Sequence, residues 1–258
     1  MEFLKIIDYV NSSFGIDFSS YKSKQLLRRI ENFMSRVAAK SEDDFISILK
    51  RDKAISQKFQ DHLTINVSEF FRNKDMFLQL EKEIKSRLYP EKNILKIWSA
   101  ACSYGAEPYT LAIIMDRLTK NKKHNILATD IDTNILIRAK EGKYIKSDVK
   151  NVDKDLLDKY FIKRDENYYI REEIKKRVNF KKHDLILDRY ETGFDLIVCR
   201  NVVIYFTQDA KKKIYEKFYD ALNPGGLLFV GATESIYNYR EIGFEKAATF
   251  IYKKPGGK

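Results

Sequence analysis

Two cysteines, three histidines and the want of any apolar run long enough to cross a bilayer set the first limits on this chain of 258 residues. Cys102 and Cys199 each sit in or beside an apolar segment without metal-type spacing, which argues against a disulfide framework or a zinc site and for buried, reduced thiols. His62, His124 and His183 are scattered, so neither a metal cluster nor a Ser-His-Asp set can be assembled from neighbours in sequence. The opening stretch MEFLKIIDYVNSSFG lacks the pattern of a secretory signal, and the expected compartment is the cytoplasm. Internal repeats and low-complexity tracts are also missing.

What is present suits a folded α/β protein. Hydrophobic residues make up 44% of the chain and charged ones 33%, enough for an ordinary core and a soluble surface. The net charge of +11 favours an acidic partner, and nucleic acid, anionic lipid or an acidic protein surface all satisfy it.

Residues 1 to about 75 carry helical periodicity only. FLKIIDYVNSSFG stops at Gly15. The next helix is predicted to begin behind Ser19 and Ser20 as capping candidates, with Leu26, Leu27, Ile30, Phe33, Met34 and Val37 as its apolar stripe. SEDDFISILKRD opens on a capping-box-like Ser41 and Asp44. After about residue 90 the pattern changes to short apolar runs, NILKIWSA, HNILATD, VNFKKHD, FDLIVCR and GGLLFVGAT, alternating with helical stretches at 106–119, 132–141 and 208–222. That alternation predicts a mostly parallel sheet with helices on both faces, closed by an antiparallel edge from GFEKA and TFIYKK. The charged, tyrosine-rich residues 143–177 interrupt the rhythm and read as an insertion holding a small strand pair.

In a doubly wound sheet, ligands bind at the carboxyl ends of the central strands. The loop ACSYGAE falls there, its small residues allow close approach, and Gly105 can take a dihedral closed to other residues. A single glycine stands where a dinucleotide fingerprint wants three. The next strand ends in Asp130, 25 residues beyond Gly105, suited to accept hydrogen bonds from a ribose hydroxyl pair. Asp132 fits the following helix cap better, which leaves Asp130 for a ligand. A small loop plus a ribose-binding acid describes S-adenosylmethionine better than a dinucleotide. Arg200, Asn201 and Tyr205 follow the strand FDLIVC at the mouth of the same cleft, although Asn201 also reads as a simple turn residue.

Five stretches in order, TINVSEFFRN (64–73), IWSAACSYGAEPYTLA (97–112), ATDIDTNIL (128–136), CRNVVIYF (199–206) and LNPGGLLFVGATES (222–235), closely resemble the bacterial chemotaxis protein methyltransferases, the CheR family. The resemblance runs nearly end to end. It implies a small all-helical N-terminal domain (1–75) and a Rossmann-like class I methyltransferase domain (76–258) with an inserted β-subdomain (about 143–177). It further implies methyl transfer from S-adenosylmethionine to glutamate side chains of chemoreceptors, with S-adenosylhomocysteine as product and no metal. Carried over motif by motif, Asn66, Ser68, Arg72, Glu107, Asp130, Asn201, Val202, Lys217 and Phe218 contact the cofactor. Arg72 is expected to pair with the methionyl carboxylate and Glu107 with the ammonium. Where the family usually carries two acids before Pro-Tyr, this chain has Ala106 and Glu107, and Ala232 replaces a usual histidine.

An ionised glutamate is already a nucleophile and a sulfonium already an activated donor. The expected tasks are therefore alignment and water exclusion, with Arg200 and Tyr205 positioning the substrate carboxylate. Between Tyr21 and Lys40 six basic residues stand against one acid, Glu31. The resemblance makes this face, with Lys24, Arg28, Arg29 and Arg36, the dock for the receptor's glutamate-rich helical bundle. A solvated helix face is the alternative. The short, glycine-free YFIKRDENYYI implies no dependence on a C-terminal pentapeptide tether, and the chain is expected to act as a monomer. Two rivals stay open. A nucleic-acid methyltransferase would suit the charge, but RNVVIYF lacks the Asn/Asp-Pro-Pro-aromatic run and no base-stacking array is evident. A catalytically silent, cofactor-binding adaptor would suit Ala106 and Ala232.

Overall fold

A computed structural model describes residues 3–64, 66–119 and 122–256. The chain forms two compact units, Met1–Asn66 with Tyr205–Lys211, and Val67–Ile204 with Lys212–Lys258.

The first unit holds α1 (Leu4–Phe14), α2 (Ser23–Arg36), α3 (Glu42–Arg51) and α4 (Lys53–Thr64). Ile6, Val10, Leu26, Ile30, Phe33, Phe45, Leu49, Phe59 and Leu63 are buried on these helices, drawn from the helical stripes. Phe33 and Phe45 each pack against Phe59, with ring centroids 5.0 and 4.9 Å apart; each buried ring contributes about 1.5–3 kcal/mol. The cap of α3 forms as predicted, for the Ser41 hydroxyl accepts from the Asp44 N–H at 3.2 Å. The cap of α2 does not. Ser19 and Ser20 lie in a 3₁₀ turn closed by Asp17, whose Oδ1 accepts from the Ser19 N–H, and the helix starts at Ser23 without a side-chain cap. The Lys22 N–H donates instead to the Tyr205 carbonyl, 2.9 Å away, a partner no local pattern could reveal.

The second unit begins with α5 (Lys74–Glu83) and alternates β1 (Lys96–Ala100), α6 (Ala106–Leu118), β2 (Asn125–Asp130) and α7 (Thr133–Glu141). The insertion follows as β3 (Lys143–Ile145), α8 (Lys154–Tyr160), β4 (Phe161–Arg164), β5 (Asn167–Ile170) and α9 (Glu172–Lys175). Next come β6 (Val178–Lys182), β7 (Phe194–Cys199), α10 (Gln208–Ala221) and β8 (Leu222–Val230). The chain closes with α11 (Tyr239–Ile242), β9 (Glu245–Ala248) and β10 (Ile251–Lys253). The main sheet runs β6-β2-β1-β7-β8-β10-β9, parallel from β6 to β8, with β10 and β9 antiparallel as predicted. The order reverses between β1 and β7, so the crevice over their carboxyl ends is the switch point. At the outer margin β6 exposes Lys181 and Lys182. The insertion is a three-stranded sheet, β3-β5-β4, rather than the expected pair, because Lys143–Ile145 is too short to show a period. Both cysteines are buried and free, and burial pushes each thiol well above its ordinary range. Among the described residues no helix is long and apolar enough to cross a membrane.

Candidate functional site

The carboxyl ends of four parallel strands bring together the loops 101–105, 130–132, 183–188 and 200–204. After β1, Ala101 and Ser103 both take left-handed backbone conformations, φ 62° and 51°. Non-glycine residues pay for such angles, and structures hold them mostly where function demands it. The loop is tied to β2 twice, by the Cys102 N–H on the Thr129 carbonyl and the Ser103 N–H on Asp130 Oδ2, each at 2.8 Å. Gly105 is needed at φ 90°, but the atoms that a Cβ would crowd are Ala139 Cβ, the Tyr109 ring and the Tyr144 hydroxyl. Its smallness therefore serves packing of the loop against the protein, not the ligand approach read from the sequence.

Asp130 is 7% exposed. Asp132 caps α7 as predicted, its Oδ1 accepting from the Asn134 and Ile135 N–H groups. Asp130 is nonetheless engaged, with Oδ2 on the Ser103 N–H and Oδ1 on the Asp132 N–H at 3.1 Å. The Ile131 N–H also acts on this carboxylate, and acceptor capacity for a ligand hydroxyl remains. Burial pushes the Asp130 carboxyl up to about 6 against the pull of those N–H groups. A ribose hydroxyl pair favours the ionised form. Affinity for S-adenosylhomocysteine should therefore be flat above pH 7 and fall by about tenfold per unit well below pH 6. Calorimetry across pH 5–8 checks this, and Asp130→Asn should abolish the step.

An adenosyl amino acid fits the residues present. The Ser103 hydroxyl oxygen is buried in the loop without a hydrogen-bond partner among the described residues, an atom that a polar ligand group would satisfy. Ser68 and Arg72 lie on the segment leading into α5. The Ser68 N–H donates to the Tyr104 hydroxyl oxygen at 3.2 Å, and that hydroxyl donates to the Ser68 carbonyl, fixing the segment to the loop after β1. Phe71 and Asn73 flank Arg72 with φ 50° and 61°. Arg72 forms no ion pair among the described residues, which leaves a cation for a carboxylate.

Four residues expected to touch cofactor or substrate are placed otherwise. Arg200 is 7% exposed, its guanidinium between the Phe77 and Phe229 rings, 4.9 and 5.0 Å from their centroids. It donates to the Arg72 carbonyl (2.8 Å) and Asn73 Oδ1 (3.0 Å) and stands 3.6 Å from Glu107 Oε2. Glu107 also accepts from the Ser99 hydroxyl at 2.8 Å; burial pushes its carboxyl up while Arg200 holds it down. The expected ammonium ligand and the expected substrate clamp are thus partners of each other. Phe218 is fully buried, packed on Trp98 and Tyr190, with no surface for a ligand. Lys217 donates to the Ile186 and Asp188 carbonyls at 2.7 and 3.2 Å and so anchors the loop after β6. Val202 and Asn201 are partly exposed at the end of β7, Asn201 with φ 60°.

Asn66 and Tyr205 belong to the first unit, where Asn66 Nδ2 donates to the Thr64 hydroxyl at 3.0 Å. On α2, Lys24, Arg28 and Arg36 are exposed. Arg29 turns inward. Its Nε and Nη2 donate to the His62 carbonyl, capping the end of α4, and His62 Nε2 lies 3.1 Å from the Arg29 carbonyl. It is a structural tie rather than part of a free docking face.

Two features escaped the sequence. One is the loop His183–Asp188, where Asp184 Oδ1 accepts from the Ile186 and Leu187 N–H groups at 2.7 and 3.2 Å; the paired acids of HDLILD were its signal. The other is Glu234 in GATES, buried at the end of β8.

Residues 1–64 match the family described as "CheR methyltransferase, all-alpha domain", and residues 66–251 match "CheR methyltransferase, SAM binding domain". The chain is 40% identical over 254 residues to the chemotaxis protein methyltransferase of Listeria innocua, covering 98% of this chain and 97% of that one. It is 32% identical to the corresponding protein of Borreliella burgdorferi, covering 98% and 94%. For the Escherichia coli protein the identity is 29%, over 97% and 89%.

Proposed function

The chain belongs to the CheR methyltransferase family, and from that premise we propose that it methylates glutamate side chains on the cytoplasmic helical bundle of chemoreceptors, forming γ-glutamyl methyl esters. The observation that carries the reading is Asp130, buried at the switch point with its oxygens already aligned by the Ser103 and Asp132 N–H groups. S-adenosylmethionine supplies the activated methyl group. Asp130 accepts its ribose hydroxyls, Arg72 its carboxylate, and Ser103 offers a buried hydroxyl. Asn201 and Val202 line the adenosyl group from the end of β7. The substrate glutamate needs no general base, since its carboxylate is ionised at neutral pH. The protein's contribution is to hold the reactants in line and dry.

Lys24, Arg28 and Arg36 present the positive face that an acidic receptor bundle would meet. The two-residue turn Asp165–Glu166 joins β4 to β5 and supports a mode of docking without a C-terminal tether. Labelled methyl transfer tests the whole reading. Base-labile label on a receptor cytoplasmic fragment is the expected outcome. Label on nucleic acid, or none at all, would replace this reading with one of its rivals. Arg28→Glu should slow labelling severalfold at low salt, less at high salt, and leave S-adenosylhomocysteine affinity unchanged. Loss of cofactor binding in that variant would count against the docking role.

A further inference from the structure

Glu234 is 4% exposed, yet it carries a carboxyl group where a buried charge is costly. One oxygen, Oε2, accepts from two backbone N–H groups, those of Asn201 at 2.5 Å and Gly231 at 2.9 Å. The other, Oε1, makes no hydrogen bond of good geometry among the described residues, although the Val202 and Ile204 N–H groups also hold the carboxyl down against burial. The loops leaving the adjacent strands β7 and β8 are therefore fastened to one side chain. Gly231 has no room for anything larger, since a Cβ there would come within 2.4 Å of Glu234 Oε2 and 3.0 Å of the Asn201 nitrogen. Asn201 is held at φ 60°, a conformation asparagine tolerates better than most residues but does not prefer.

We propose that Glu234 is a positioning residue, whose carboxylate pins the Asn201 backbone in its left-handed turn and so sets the Asn201 side chain against the adenosyl group. The inference rests on Asn201 meeting the cofactor, as proposed above. Asn201 arranged by its own preference would swing toward extended conformations and carry its amide away from the pocket. Glutamate suits the task because a single oxygen can serve both amides while the side chain spans from one loop to the next.

A double-mutant cycle read by calorimetry with S-adenosylhomocysteine tests it. Glu234→Ala should weaken binding by about tenfold or more, the loss of roughly one charge-assisted contact. Asn201→Gly removes the side chain but tolerates the left-handed turn, and should weaken binding comparably. The double variant should then be no weaker than Asn201→Gly within about twofold, because Glu234 has nothing left to position. Additive losses would overturn the proposal and make Glu234 a general brace. Glu234→Gln, which keeps one acceptor oxygen, should remain within about threefold of wild type. Should Glu234→Ala fail to fold, Glu234→Asp replaces it in the cycle, since it falls a methylene short. Wild type that does not bind S-adenosylhomocysteine would overturn the reading of the pocket. Wild-type binding with undiminished Glu234→Ala affinity would overturn the positioning role alone.

Discussion

Asp130→Ala is expected to weaken S-adenosylhomocysteine binding by about 100-fold or more while leaving the fold intact. Two hydrogen bonds from hydroxyls to a charged acceptor contribute about 1.5–3 kcal/mol each, and tenfold in affinity corresponds to about 1.4 kcal/mol. The side chain also holds the Ser103 N–H, so its removal loosens the loop as well as deleting the acceptor. The fold should survive, because β2 keeps its ladder to β1 and β6 and Asp132 still caps α7. Calorimetry supplies the affinity and circular dichroism the fold. A folded variant with wild-type affinity would remove the ribose assignment and with it the main support for the site.

The second large effect is on stability. Arg200→Ala should cost about 3–5 kcal/mol in urea denaturation, the usual penalty for removing one partner of a buried ion pair. The guanidinium fills the space between Phe77 and Phe229 and anchors the Arg72 carbonyl and Asn73. Its loss strands Glu107 without the cation that holds its carboxyl down. The folded-state pKa of Glu107 then rises further above its unfolded value. Stability is lost as pH climbs from the unfolded value through the folded one. The penalty should therefore be smaller at pH 5 than at pH 8. A variant of near-normal stability whose turnover alone collapses would restore the substrate-clamp role that the sequence suggested for Arg200.

Much of the architecture is legible in apolar runs. Strands β1, β2, β7 and β8 are buried on both faces and read as continuous hydrophobic stretches, which is how interior parallel strands announce themselves. The start of α2 was not legible, because the Lys22 amide finds its partner in Tyr205, far along the chain. Asp130 and the Asp132 cap could be told apart because capping has a fixed spacing. Arg29, Arg200 and Phe218 could not be assigned, since sequence places a long side chain on a helix or strand end but does not say which way it turns. Glu234 was overlooked for a related reason. Its importance comes from two backbone amides on neighbouring strand ends, and backbone amides leave no mark in a sequence.

The bare margin of β6 has a consequence of its own. An unpaired strand is an invitation to another copy's strand, and β6 offers five residues of one. Here any newcomer meets the exposed Lys182 and Lys181, the latter paired with Glu191 at 3.2 Å. Exposed charge thus stands against strand addition at that rim, and concentrated salt would screen it.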